Sequence, residues 1–525
     1  MVNNPTGLWL TAAAFSLLLS LCSSCCDKRI EPKGAKMAHS SEITLENAQA
    51  QNVWRIFRQI CRIPRCSKHT QQICGWLKNF AREHNLPCRS DSVGNTVIEL
   101  PPTAGYENSP TVVLQSHVDM VCEKTPQSSH DFCIDPIELL EKTGWVYADG
   151  TTLGADNGLG MSLALALALE KNLAHPKIEL LFTVDEETGL TGVNAIQPGF
   201  ITGKYLINLD GEDESFIVGC AGGENTEITL KLDWSDAPTG LDCFTLKVSG
   251  LYGGHSGVDI DKGRANAIKL LTKTIAQLQE RFDLRMCSID GGKASNAIPR
   301  DAQAVLCFKP SNLGEIKQRI VDIESSFKKE FAKTDPNIKI EVIKTREAAE
   351  KKIINNQSSI INLLSSLPTG VYRMSPQFAG VVETSNNLAR VETIRGQNIL
   401  RITTMQRSFE LSGMDELTGK ITAAARQAGA EVKGSERYPA WRPDTSSSLL
   451  KRAKEIYKQI NHKEPQVKVI HAGLEPAVIG QKIPGIEMLS LGPTIENPHS
   501  PQERLNIASV DNVWNFLLEL IPALK

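Results

Sequence analysis

Apolar and polar positions along the chain fall into two textures. Residues 46–85 carry apolar side chains at helical spacing in VWRIFRQICRI and QQICGWLKNFAREHN, broken at Ile63-Pro64. TVIEL (96–100) and TVVLQSHVDM (111–120) follow as short β-branched runs. GLGMSLALALALEKNL (158–173) reads as a buried helix, and KIELLFTVDEE (177–187) and YLINLD (205–210) as buried strands. Strands alternating with helices predict an α/β unit on a largely parallel sheet, with functional groups at the carboxyl ends of the strands.

The texture changes near residue 224. TEITLKLDW (226–234) and CFTLKVSGL (243–251) alternate strictly, as half-exposed antiparallel strands do. Helical runs at 265–282, at the Lys/Glu-rich 313–332 and again between the strand runs 338–345 and 380–394, with further strand runs at 304–310 and 398–408, complete an α+β insertion. The first texture returns in the helix SSSLLKRAKEIYKQI, the strands VKVIHAG and IEMLSLG, and the closing helix VDNVWNFLLELIPAL. The expected division is a leader at 1–40, an α/β unit at 41–223 and 441–525, and an α+β insertion at 224–440.

The apolar stretch Leu8–Leu21 has the length of a signal-peptide core and is short for a bilayer span. No Lys or Arg precedes it, and Leu21 makes a poor lipoprotein site before Cys22. Residues 1–26 leave three readings: translation from Met37 and a cytoplasmic protein, an export or lipoprotein leader, or a retained anchor. Of 13 cysteines, Cys22, Cys25 and Cys26 sit in this segment, and the other ten lack Cys-x-x-Cys spacing. Reduced, mostly buried thiols are expected. A net charge of −3 over 525 residues leaves no global basic field for nucleic acid or anionic lipid.

The anomaly is that the buried strands end in polar residues. TVVLQS runs into His117 and Asp119, which project from the same side of an extended chain. Asp156 lies in a glycine-flanked turn before the long apolar helix, where an N-cap is the plainer explanation. FTVDEETG sets Asp185, Glu186 and Glu187 after a strand, and LINLDGEDE stops one on Asp210. Adjacent acids repel, and a cation relieves the repulsion. Together these strand ends point to a divalent-metal site. Mixed imidazole and carboxylate suits zinc, with cobalt or manganese as alternatives. The excess of acids suggests two ions about 3.5–4 Å apart.

The segments HVDM, GTTLGADNGLGM, TVDEETGL, LINLDGEDE, GCAGG, GGHSG, SNAIPR, GVVETSNNL, VIHAGLE and LGPTIENPHSP occur in that order. The series resembles the cytosolic non-specific dipeptidases, also called aminoacyl-histidine dipeptidases, of the di-zinc superfamily of carboxypeptidase G and aminoacylase. The resemblance covers residues 45–525 and implies a discontinuous zinc domain with an inserted α+β lid. It implies that His117 ligates and Asp119 orients it, that Asp156 bridges two Zn2+ across a cis Asp156–Asn157 peptide, and that Glu187, Asp210 and His499 complete the ligands. Glu186 would then be the general base and His255 the oxyanion donor, within the closed site or across a homodimer. Asn296 and Arg407 would hold the substrate's backbone and carboxylate, and Gly473 would let substrate approach the backbone. His471 is left open between structure and function, and His130 is the one remaining histidine near a ligand-like position. Unblocked dipeptides are the implied substrates, with aminoacyl-histidine as a further candidate. The alternatives are an N-acyl amino acid deacylase, a tripeptide aminopeptidase, or a non-catalytic peptide-binding protein.

Overall fold

A computed structural model describes residues 50–345, 352–435 and 437–525. The expectations for the leader, Met37 and the three clustered cysteines lie outside the described residues.

Eight strands form the first sheet, in the order Cys88–Ser90, Thr96–Leu100, Ile178–Thr183, Val112–His117, Tyr205–Asn208, Glu487–Ser490, Phe216–Cys220, Val467–Ile470. Its centre is parallel, from Ile178–Thr183 through Glu487–Ser490. Thr96–Leu100 and Phe216–Cys220 run antiparallel to their inner neighbours. Helices cover both faces, which is why the central strands read as unbroken apolar runs. Leu114, Leu180 and Ile207 pack with helices Gln51–Ile60, Ala155–Leu167 and Ile507–Ala523. Val113, Leu181 and Leu206, one residue away on each strand, face helices Thr191–Ala195 and Glu475–Lys482. The apolar helix stops at Leu167, short of the expected 173.

The second sheet is antiparallel, in the order Lys339–Lys344, Asp242–Ser249, Ala302–Phe308, Arg285–Gly291, Val382–Ile394, Ile399–Ser408, Gly222–Lys231, Glu431–Gly434, with Gly370–Met374 added beside Val382–Ile394. One of its helices, Leu411–Gln427, is not apparent in the sequence pattern. Gly413 and Gly419 weaken its propensity, and packing of Met414, Leu417, Ile421 and Ala425 supports it instead. The chain crosses between the sheets twice, side by side: Cys220 bridges Trp441 and Gly223 bridges Tyr438. No helix among the described residues is long and apolar enough to cross a membrane.

The expectation of reduced thiols is corrected at two cysteine pairs. Cys66 is bonded to Cys122 and Cys243 to Cys307. Cys243 and Cys307 are direct partners on neighbouring antiparallel strands, so their side chains share a face. Cys66 pairs with Met120 through an isolated bridge, which brings Cys122 alongside. Cys61, Cys74, Cys88, Cys220 and Cys287 are thiols, four of them buried.

Strand Tyr205–Asn208 is fixed against its neighbour by backbone contact beyond its end. A Cβ on Gly492 would lie 1.9 Å from the carbonyl oxygen of Gly211, directly after Asp210. Gly492→Ala is therefore expected to cost about 2 kcal/mol or more in urea unfolding, since backbone on both sides must shift. A change below about 0.5 kcal/mol would show that the contact relaxes freely.

Candidate metal centre

The site is assembled at the carboxyl ends of the parallel strands. His117 closes strand Val112–His117, and the chain turns so that Asp119 lies beneath it, fully buried. One Asp119 carboxylate accepts from Ser67 Oγ at 2.8 Å and from the backbone N–H groups of Glu186 and Glu187 at 3.1 and 3.3 Å. It also stands 3.4 Å from Nδ1 of His117. This fixes the imidazole with Nε2 facing outward and holds the turn carrying both glutamates.

Nε2 of His117 lies 3.0 Å from Oδ1 of Asp156 and 3.4 Å from Oδ1 of Asp210. Nε2 of His499 lies 3.0 Å from Oδ2 of Asp156 and 3.0 Å from Oε1 of Glu187. Thus the two oxygens of Asp156 face two different imidazoles. Asp156 sits in the first turn of helix Ala155–Leu167, and its peptide bond to Asn157 is cis. Asn157 donates its side-chain N–H to Asp210.

Two elements absent from the sequence reading hold this turn. Glu503 accepts from the backbone N–H groups of Leu153, Gly154 and Ala155 at 2.7, 3.0 and 2.8 Å, placing a carboxylate at the positive end of the helix. Arg65, among the most buried side chains, donates to the carbonyl oxygens of Val118 and Asp119 at 3.1 and 2.9 Å and to that of Gly154. Arg65 also takes Met120 N–H on its own carbonyl, and Lys68 N–H donates to Asp185 at 2.5 Å. The segment Arg65–Lys68 is therefore a floor under Asp119, Asp185 and the Asp156 turn, tied at Cys66 to Cys122. A lone arginine in a helix break carries no recognisable signal, and Glu503 is distinguished only by the backbone it meets.

The charges in the centre are unbalanced. Against the upward pull of burial, the two imidazoles hold Asp156 well below the ordinary carboxylate range. Burial pulls His499 down, but Asp156 and Glu187 outweigh it and carry it up to about 11. His117 is likewise raised against its burial, by Asp210, Asp119 and Asp156. Burial, with the charges of Asp210 and Glu187 behind it, pushes Glu186 well above the usual range despite His117. Glu187 and Asp210 are raised too, first by burial and then by Asp156. Protons on the imidazoles and acids offset charge that a cation would otherwise offset.

The donor set fits two ions. His117, Asp156 and Asp210 offer ligand atoms within 4.8 Å of one another, as do Asp156, Glu187 and His499, so the two groups share Asp156. Zinc favours such imidazole and carboxylate mixtures.

One cavity of about 1290 Å³ joins this centre to Arg407 on strand Ile399–Ser408 of the second sheet, to His255 and Asn296 at a separate two-stranded pairing, and to Gly473 just beyond strand Val467–Ile470 of the first sheet. Nδ1 of His255 accepts from the N–H groups of Gly257 and Val258, both at 3.2 Å, so the ring proton belongs on Nε2. Burial and Arg407 lower His255 to about 4, which keeps it a neutral donor at pH 7. Asn296 lies on the exposed rim. Gly473 packs on the Tyr438 ring, 3.1 Å from where its Cβ would be. His471 is buried with Nε2 2.7 Å from Ser385 Oγ. His130 lies away from the centre, edge-on to Phe132.

The chain matches peptidase family M20/M25/M40 over residues 113–523. It is 38% identical over 478 residues to the cytosol non-specific dipeptidase of Escherichia coli (strain K12), spanning 91% of this chain and 98% of that one. The crystal structure of the aminoacylhistidine dipeptidase from Vibrio alginolyticus superposes with a TM-score of 0.79 at 36% identity, covering 92% and 98% of the two chains. An aminopeptidase from Bacillus cereus shares the fold at 17% identity, with a TM-score of 0.52 over 91% and 99% of the chains.

Cation binding requires both imidazoles unprotonated, whereas the neighbouring carboxylates raise the proton affinity of both, that of His499 to about 11. Metal affinity is therefore expected to rise with pH from about 6 to 8, with protons released, as read by calorimetry in buffers of different ionisation enthalpy. A pH-independent affinity would contradict the coupling. Glu503→Gln should weaken metal binding about 10- to 100-fold in chelator competition, because a neutral amide cannot hold the same N–H groups at the helix end. An unchanged affinity would mean that the turn is held without it.

Proposed function

The chain belongs to peptidase family M20/M25/M40, and from that premise and the shape of its centre we propose a metal-dependent dipeptidase acting on unblocked dipeptides. The observation carrying this reading is Asp156 shared by two triads of ligand atoms, in one cavity with a buried arginine. The relatives named above support the same activity.

In this reading His117, Asp156 and Asp210 hold one ion and Asp156, Glu187 and His499 the other, with zinc at both and cobalt or manganese as close substitutes. Bound there, the ions supply Lewis acidity toward water and the scissile carbonyl. Glu186 takes a proton from the attacking water as its oxygen bonds to the carbonyl carbon. Burial and neighbouring acids make that carboxylate a stronger base than a solvated one. As the carbonyl oxygen gains charge, Nε2–H of His255 donates to it, a neutral donor that pays no deprotonation cost at pH 7. When the carbon–nitrogen bond breaks, Glu186 returns its proton to the leaving amine. Asp119 takes no proton and keeps the imidazole and the Glu186–Glu187 turn in register.

Arg407 is suited to the substrate carboxylate, and Asn296 to its backbone. A carboxylate held at a fixed place in the cavity favours dipeptides over longer chains. Gly473 contributes to the wall beside Tyr438. The same reading places the enzyme in the cytoplasm as a homodimer.

Glu186→Gln should bind metal as the native protein does and lose about 10²–10⁴-fold in kcat on Ala-Ala. Turnover within a few-fold of native would sink Glu186 as the base. Parallel assays with a tripeptide and an N-acetyl amino acid test the choice of substrate class.

A further inference from the structure

Arg407 is buried, only 4% exposed, yet no carboxylate among the described residues lies within ion-pair distance of it. Its neighbours are neutral. Nε lies 3.4 Å from Ser256 Oγ, Nη1 donates to Tyr438 Oη at 2.7 Å, and Nη2 stands 3.4 Å from Nε2 of His255 and 3.9 Å from Met405 Sδ. Because Nδ1 of His255 is the acceptor, Nε2–H and the guanidinium are both donors facing one region. A buried cation with only neutral partners is costly, and an anion supplied by a ligand would offset that cost.

Tyr438 completes the arrangement. Its hydroxyl accepts the hydrogen bond from Arg407, so its own O–H remains to be donated, and no other partner for it is seen among the described residues. Burial raises the phenol above its ordinary value, which keeps that hydrogen in place. The ring cannot swing freely. A Cβ on Gly223 would fall 2.3 Å from Oη, one on Gly473 would lie 3.1 Å from the ring, and the Tyr438 backbone is bridged to Gly223. The glycines of GCAGG and HAGLE thus make a slot that sets the hydroxyl beside the guanidinium, in the cavity that also holds the metal-facing residues.

We propose that Tyr438 is a specificity-determining residue whose hydroxyl donates to the free C-terminal carboxylate of the substrate beside Arg407, and so enforces an unblocked C-terminus. This assignment rests on the dipeptidase reading above. A carboxylate accepts from both groups at once, whereas a C-terminal amide presents a single acceptor oxygen and an NH2 that meets donors.

The test is Tyr438→Phe, which keeps the ring in its slot, assayed on the metal-loaded enzyme with Ala-Ala and with Ala-Ala amide. For the free acid, KM should rise about 10- to 100-fold with kcat changed little, and for the amide both constants should move less than about 3-fold. Equal losses on both substrates, or no loss on either, overturn the assignment. The native enzyme supplies an independent check that needs no variant: hydrolysis of the amide as readily as the acid overturns it as well. A native enzyme inactive on every dipeptide would sink the dipeptidase reading and this assignment together. An active one with an unchanged acid-to-amide preference in the variant sinks this assignment alone.

Discussion

The buried carboxylate of Asp119 is the constraint on which the centre depends. It meets an imidazole, a serine hydroxyl and two consecutive backbone N–H groups, and these belong to three stretches of chain far apart in sequence. A buried carboxylate is tolerated only when its oxygens are satisfied, so the same requirement that keeps Asp119 ionised fixes the positions of His117, Glu186 and Glu187. Displacing any one of these partners leaves a charge unsatisfied in the interior. The geometry is consequently held by a desolvation cost and does not rely on the directional strength of any single bond.

A second tier of buried charge supports the first. Arg65 binds three carbonyl oxygens that surround Asp119 and Asp156, and Glu503 binds the N–H groups on the other side of the Asp156 turn. One ion collects acceptors and the other donors, so the turn between them is gripped by opposite chemistry. In the acids facing the cavity, burial, with neighbouring acids behind it, raises the affinity for protons. With the turn gripped on both sides, the electrostatic imbalance of these acids lies where a divalent cation can relieve it.

The region between residues 224 and 440 contributes groups of a different character. His255 and Arg407 reach the cavity as neutral and cationic donors, complementing an acidic centre. Arg407 lies opposite Gly223 in the sheet, next to the two adjacent crossings, where Cys220–Gly223 lies beside Tyr438–Trp441. Backbone contact at the crossing puts Tyr438 into the cavity wall while keeping the two sheets next to one another.

Much of this was legible in the chain alone, for physical reasons that differ by residue. Buried strands ending in His117, Glu186, Glu187 and Asp210 stand out because apolar runs rarely stop on clustered acids, and side-chain period and strand-end position are local properties. The family resemblance added His499, His255, Asn296, Arg407 and Gly473, which carry no local signal. Hidden from the sequence were Arg65, Ser67, Tyr438 and Glu503, because their partners are backbone groups or side chains brought near only by sheet order. The cysteine pairs were misread for the same cause: Cys243 and Cys307 are 64 residues apart and become neighbours through strand register. Sequence by itself determined which chemistry collects at the strand ends. Only the tertiary structure decided what holds it there, since backbone donors and acceptors are identical at nearly every residue and acquire identity from where the fold sets them.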